Sequence, residues 1–432
     1  MAAFIKTLSS RHTSDAAWIA LGQVVTAVGM IFGIRLITQY ASPATFGLLS
    51  LALGASTLAM NVACTPFMQA AIHFYPEHVS SGTLEHLRSS LWHTLGRVVS
   101  CSALVIAVSG MVLATLGYTT PTMVLLLILL LGAECWRSVE LNFLNTSRQH
   151  ARYSFWLAVD AWARPLLGTI AVLLLGDSAS YILGAHVIAA LGLTAIFSPP
   201  TPPSPGKQIS DSDLLRSSNL SKKLRQQIWR YALPLMPLGL IAWTNGLSDR
   251  YVIGGLLGVA DAGIYSAAYG LASRPFLMIG SALELAIRPL YQRAIYEHRY
   301  AHSHKLLALW LGCVSACGVI GITAITIWRH EIAGLLLGKS YGRAADLMPW
   351  IAGGNAMLAT SYVFERVCYA FGKTHRVLLI QSCTVLTGII TTFIGARYWG
   401  LEGAARAASV YFLVQLLASI FLAIMTYKQR EK

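Results

Sequence analysis

Residues 229–263 read WRYALPLMPLGLIAWTNGLSDRYVIGGLLGVADAG. The run is long enough to cross a bilayer as a helix, yet Asp249 and Arg250 stand side by side inside it. A charge at membrane depth is expensive and is kept where it has a partner or a function. Pro234 and Pro237 share the run. They would break a soluble helix, whereas neighbouring helices in a membrane re-satisfy the freed carbonyls. A stretch rich in Pro, Ser and Lys precedes the run, and a short turn leads from it into another apolar span. The run therefore opens the second half of a polytopic membrane protein.

Composition agrees. Of 432 residues 55% are hydrophobic and 12% charged, against about 25% charged in a soluble chain, and the mean hydropathy is +0.59. The net charge of +14 would suit nucleic acid, but the basic residues cluster in short loops between apolar spans, so no nucleic-acid partner is expected. The 7 cysteines form no CxxC pair and read as small buried hydrophobes. Lys6 and Arg11 precede an apolar run from Ala16 with no cleavage site. That is a first transmembrane helix, not a signal peptide.

At about 20 apolar residues per crossing, twelve spans are expected: 16–38, 45–68, 96–116, 121–144, 153–175 and 181–197, then 229–257, 262–287, 306–328, 348–371, 377–396 and 404–425. This divides the chain into an N-terminal six-helix lobe (1–198), a linker (199–228) and a C-terminal six-helix lobe (229–432). Lys and Arg favour one set of loops, which includes Arg88, Arg97, Arg148, Arg152, Arg293 and Lys428. The other set holds only Arg329, Lys339, Arg343 and Arg397. The bias places both termini and the linker in the cytoplasm. Within the linker, PPTPPSPGKQ predicts an extended tether and SKKLRQQ a basic helix lying on anionic lipid. Asp211 and Asp213 read as solvated charges.

The halves echo each other. Arg35…Gly47-Leu-Leu-Ser50 matches Arg250…Gly263-Ile-Tyr-Ser266, and Glu140…Arg148 matches Glu365…Lys373. Shared order and an even number of spans per half predict parallel repeats: two pseudo-symmetric lobes with a central cavity between them.

Ionisable residues inside spans are the site candidates. Glu134 with Arg137, Asp160 with Arg164 and Glu284 with Arg288 have the spacing that puts two side chains on one helix face. Asp249 with Arg250 and Glu365 with Arg366 are adjacent, diverge by about a quarter turn and pair more weakly. Arg274 has no acid within one turn and lies ~18 Å along its helix from Ala262, near mid-membrane. Pro275 follows it as Pro165 follows Arg164, once per lobe. A guanidinium there suits an anion, because its fork binds phosphate oxygens in pairs and stays protonated. Arg35 and Arg250 fall near the outer ends of their helices, where snorkelling to headgroups or a shared outer vestibule accounts for them.

Arg230-Tyr-Ala-Leu-Pro-Leu-Met-Pro, Ser248-Asp-Arg-Tyr-Val-Ile and Gly263-Ile-Tyr-Ser-Ala-Ala-Tyr carry a resemblance over most of the chain. They are joined by Ser42-Pro-Ala-Thr-Phe-Gly, Leu337-Gly-Lys-Ser-Tyr and Ala370-Phe-Gly-Lys. Together these resemble the polysaccharide transporter (O-antigen flippase) branch of the multidrug/oligosaccharidyl-lipid/polysaccharide (MOP) exporter superfamily, with a MATE-like fold. The resemblance implies a flippase of the bacterial inner membrane, not an enzyme. It would move an undecaprenyl-diphosphate-linked oligosaccharide by alternating access, for O-antigen, capsule or exopolysaccharide assembly. A polysaccharide polymerase and a chain-length regulator are the implied protein partners. On that reading Arg274, Arg164 and Arg137 hold the diphosphate, with Arg35 and Arg250 as further cations. Glu134, Asp160 or Asp249 would couple transport to H+ or Na+, and no cofactor or metal is expected.

Three alternatives stay open. A MATE-like drug antiporter needs an acidic cavity, whereas the unpaired mid-span charge here is positive. A lipid II flippase usually has two further helices. A membrane-embedded glycosyltransferase or polymerase would be expected to place an acid in its first outer loop, and QYASPAT has none.

Overall fold

Helices account for every regular element among the described residues, 2–198 and 211–428 of a computed structural model. In chain order they are α1 (Ala2–Tyr40), α2 (Pro43–Ala59), α3 (Thr65–Ser80), α4 (Leu84–Thr115), α5 (Pro121–Thr146), α6 (His150–Leu175), α7 (Ala179–Phe197), α8 (Asp211–Ala232), α9 (Met236–Leu256), α10 (Val259–Ala272), α11 (Arg274–Tyr296), α12 (Tyr300–Ile327), α13 (Arg329–Leu336), α14 (Ala344–Ala370) and α15 (Thr374–Lys428). One π-turn, Met60–Cys64, joins α2 to α3. Local chemistry sets the boundaries. Thr120 caps α5 by accepting from the backbone N–H of Met123 at 3.3 Å, and Pro121 stands where its missing N–H removes no bond.

The two Arg-Pro steps behave differently. Pro165 lies inside a continuous α6, whereas Pro275 begins α11, just after Ser273 separates it from α10. At Ser273 the dihedrals stay helical (φ −82°, ψ −34°), so the second step is a proline kink in one continuous apolar stretch.

Nine helical stretches among the described residues are long and apolar enough to span a membrane, and the chain is a multi-pass membrane protein. Twelve spans were expected. The 21-residue α9, which carries Asp249 and Arg250, and the 27-residue α14 are not among the nine. The 55-residue α15 counts as one stretch, although Gly400 takes φ 63° inside it. There the chain doubles back. Arg376 donates to Thr426, Gly388 faces Tyr411 and Gly395 abuts Gly403, the pairing of an antiparallel hairpin. Glycine at 400 adopts the left-handed turn without a Cβ clash.

The chain forms two compact units, Met1–Ile37 with Ala52–Trp243, and Thr38–Leu51 with Thr244–Lys432. In the first, Leu87, Leu91 and Leu95 recur every fourth residue of α4 and pack on Phe67, Ala71, Cys135 and Val139. Leu224, Ile228 and Ala232 of α8 have the same spacing and are buried in that core, leaving Lys222, Lys223, Gln226 and Gln227 exposed. The basic helix expected to lie on anionic lipid is thus tied to the protein by its apolar stripe. Its apolar stripe is already used by protein, and only the basic face is open. The Pro-rich stretch 199–210 and the side chains of Asp211, Asp213, Lys6 and Arg11 lie outside the described residues.

In the second unit, Tyr291, Trp310, Val363 and Val367 form one core and Leu358, Ala408, Tyr411 and Phe412 another. The repeat seen in sequence is here a contact. Ser50 and Ser266 share a hydrogen bond of 2.8 Å. A Cβ on Gly47 would overlap the carbonyl oxygen of Val259, and one on Gly263 that of Pro43. Two small-residue faces let the backbones of α2 and α10 touch, as membrane helices without a hydrophobic driving force do.

Candidate functional site

In the first unit, α5 presents Glu134 and Arg137 on one face and α6 presents Asp160 and Arg164. Each local pair forms: Arg137 Nη2 donates to Glu134 Oε2 at 2.7 Å and Arg164 Nε to Asp160 Oδ1 at 2.8 Å. The pairs also cross. Arg137 Nη1 lies 3.4 Å from Asp160 Oδ2, and Arg164 Nη1 binds Glu134 Oε1. The result is a ring of two acids and two bases with no net charge, its carboxylates buried. Arg164 keeps one nitrogen, Nη2, without a hydrogen-bond partner. His186 of α7 is buried within electrostatic reach of the ring, and its Nδ1 donates to the carbonyl of Ile182 at 2.8 Å. Sequence reading passed over His186, a lone histidine in the apolar run of α7.

The second unit is organised differently. Asp249 Oδ2 accepts from the hydroxyl of buried Tyr265 at 2.6 Å, and its Oδ1 accepts from the backbone N–H of Arg250 at 2.8 Å. The Arg250 guanidinium stands 3.6 Å from Oδ1, donates to the Gly246 carbonyl at 2.8 Å and lies 4.7 Å over the Tyr269 ring. At 8% exposure it is packed inside the protein, which removes snorkelling as its explanation. Arg35 is half-buried in the first unit. Beside Asp249, a cavity of about 10 Å³, the size of one water, is lined by Asn245, Ser248, Thr384 and Thr392. Asn245 Oδ1 and Thr392 Oγ1 have no hydrogen-bond partner. One carboxylate with several neutral oxygens is the donor chemistry of a proton or a hard monovalent cation.

Arg274 follows the kink between α10 and α11. Its Nη1 is buried without a hydrogen-bond partner, and no carboxylate pairs with it among the described residues. Arg250, itself 3.6 Å from Asp249, is the charged group within electrostatic reach of it. A buried guanidinium donor left unmatched by protein suits an anion.

Glu365 and Arg366 do not serve each other. Glu365, 3% exposed, accepts from Gln381 Nε2 at 2.9 Å and Gln415 Nε2 at 3.0 Å. Gln381 in turn accepts from Asn245 at 2.6 Å. Arg366 reaches instead to Glu284, 2.8 Å away, which also holds Arg288 at 3.0 Å. Glu365 is thus a buried carboxylate held by neutral amides. Sequence reading assigned it to the neighbouring arginine and so missed its character. All 7 cysteines are free, and among the described residues no cluster of three or more His, Cys, Asp or Glu could hold a metal.

A family model described as polysaccharide biosynthesis protein matches residues 13–294. No curated protein matches the chain by sequence. Among solved structures, the lipid II flippase MurJ in an inward closed conformation is similar, with TM-score 0.69 and 13% identity over 93% of this chain and 86% of that one. An inward-facing multidrug resistance MATE family transporter of the MOP superfamily gives 0.67 and 13% over 94% and 96%. A MOP superfamily transporter from Pyrococcus furiosus, described as having a binding pocket of reverse polarity, gives 0.56 and 13% over 94% and 95%. At such identity the likeness is one of fold, and the fold is that of the MOP superfamily transporters.

Proposed function

We infer the activity from one premise: this chain belongs to the polysaccharide biosynthesis protein family. It is a flippase that moves a polyprenyl-diphosphate-linked oligosaccharide across the bacterial inner membrane by alternating access, for O-antigen, capsule or exopolysaccharide assembly. Both termini are cytoplasmic, and the protein works beside a polysaccharide polymerase and a chain-length regulator. It forms no glycosidic bond itself. The observation that carries this reading is Arg274, whose buried Nη1 lacks a protein partner. A diphosphate offers the paired oxygens that a guanidinium fork binds best, and the charge that a second cation nearby, Arg250, favours.

The diphosphate binds at Arg274, with Arg250 adding field. Arg164 and Arg137 enter only if their ring of acids opens, because each guanidinium is already neutralised by two carboxylates. Asp249, beside its small polar cavity, is the coupling acid for H+ or Na+. Glu134 and Asp160 are weaker choices because both are held by arginine. Arg35 is the remaining cation proposed along the path.

In cells deleted for the chromosomal copy, an Arg274→Ala variant present in the membrane at normal level is expected to abolish surface-glycan export. Full export by that variant would sink the assignment. Glycosidic bond formation by the purified protein would overturn the transporter reading as a whole.

A further inference from the structure

We propose that Arg288 and Arg366 form a second phosphate-binding station in the second unit, with Glu284 as its displaceable counter-ion. The proposal rests on the reading above that the ligand carries a diphosphate. One carboxylate bridges two guanidiniums here. Glu284 Oε1 meets Arg288 Nη1 at 3.0 Å and Arg366 Nε at 2.8 Å, and Oε2 accepts from Arg366 Nη2 at 3.1 Å. Two cations against one anion leave the triad with a net positive charge. The neighbouring Glu365 forms no ion pair with either arginine and turns instead to Gln381 and Gln415, so its oxygens do not occupy the two forks.

Access and bracing favour a ligand. The side chain of Arg288 is 41% exposed and that of Arg366 21%, so an anion reaches them without unfolding. Arg366 lies 5.2 Å over the Tyr369 ring, which steadies the plane of its fork. A carboxylate held between two guanidiniums stands where the oxygens of a phosphate would bind. The phosphate brings more charge and more acceptor oxygens to the same donors. The ring in the first unit lacks this property, because there every cation is already matched.

The triad also lies on a route. Arg274 and Arg288 are both on α11, 14 residues or ~21 Å apart, which is nearly four whole turns and so close to one helix face. Tyr362, one turn before Arg366 on α14, is within electrostatic reach of both Arg366 and Glu284. The Lys/Arg bias of the loops sets Arg288 on the cytoplasmic side. The triad therefore takes the diphosphate first and hands it along α11 to Arg274.

The test uses the full-length protein in nanodiscs of zwitterionic lipid, titrated with inorganic pyrophosphate and with farnesyl diphosphate. Arg366→Gln is expected to weaken binding of both probes about tenfold, the loss of a bidentate charged contact. Glu284→Gln is expected to tighten binding several-fold, because it removes the competing anion while keeping the shape. A merely structural triad gives the opposite for Glu284→Gln, a lower unfolding temperature with no gain in binding. Arg288→Lys keeps the charge, guards against misfolding and is expected to weaken binding less than Arg366→Gln. If Glu284→Gln and Arg366→Gln both bind as wild type does while Arg274→Gln does not bind, the station is overturned and the Arg274 reading stands. If wild type binds neither probe, both readings fall. If phosphatidylglycerol added to the nanodiscs displaces farnesyl diphosphate equally well, the triad is a phospholipid headgroup site and the station is overturned.

Discussion

Two Arg-Pro steps that look alike in sequence, Arg164-Pro165 and Arg274-Pro275, end in opposite electrostatic situations. Arg164 sits in an unbroken helix and is shared by Glu134 and Asp160, with Arg137 completing a neutral ring. Arg274 sits at a proline kink, without a carboxylate partner among the described residues and within electrostatic reach of Arg250. The first arrangement suits holding helices together, because a buried charge with matched partners is stable only while all partners remain. The second suits binding, because its donor is satisfied only when something arrives. Identical dipeptides thus carry a matched charge in one unit and an unmatched one in the other.

The sharpest way to break this comparison is to truncate one member of each site. Glu134→Ala is expected to destabilise the protein by about 3–5 kcal/mol, since it leaves two buried guanidiniums to share Asp160 alone; thermal unfolding in detergent measures it. Arg274→Ala is expected to change stability by less than about 1 kcal/mol while abolishing glycan export, the reverse pattern. Equal stability losses at the two positions would erase the distinction. Gly47→Ala forces a methyl into the Val259 carbonyl and is expected to lower stability by about 1–3 kcal/mol, read as a lower unfolding midpoint. Tyr265→Phe leaves buried Asp249 one donor short, with an expected loss of about 1–3 kcal/mol. It sharpens the contrast if coupling to H+ or Na+ changes while diphosphate binding does not. The smallest effect is expected at Arg148, whose φ of 60° strains a side-chain-bearing residue. Arg148→Gly should stabilise by roughly 1 kcal/mol, visible as a rise in unfolding temperature.

Much of this was legible from spacing. Glu134 with Arg137, Asp160 with Arg164 and Glu284 with Arg288 all pair as residues one turn apart should. The isolation of Arg274 was visible as the lack of an acid within a turn. What spacing could not give was the second partner of each charge. Arg137 and Arg164 cross between α5 and α6, and Arg366 leaves its neighbour for Glu284, 82 positions away in sequence. Glu365 is defined by two glutamines on α15 that no local pattern tied to it. The Gly-x-x-Ser repeat was readable as a likeness, whereas its members meeting face to face was not. The basic character of SKKLRQQ was readable, but not that Leu224, Ile228 and Ala232 enter a protein core.

By itself the sequence determined the class of the protein, the approximate places of its helices, and which ionisable groups fall within its apolar stretches. Those follow from hydropathy and from the pitch of a helix, properties of one segment at a time. Tertiary structure alone decided which of those charges are cancelled and which are left to bind. In a medium that screens little, a charge is set by whichever side chains come within about 4 Å of it, and those come from helices far apart in the chain.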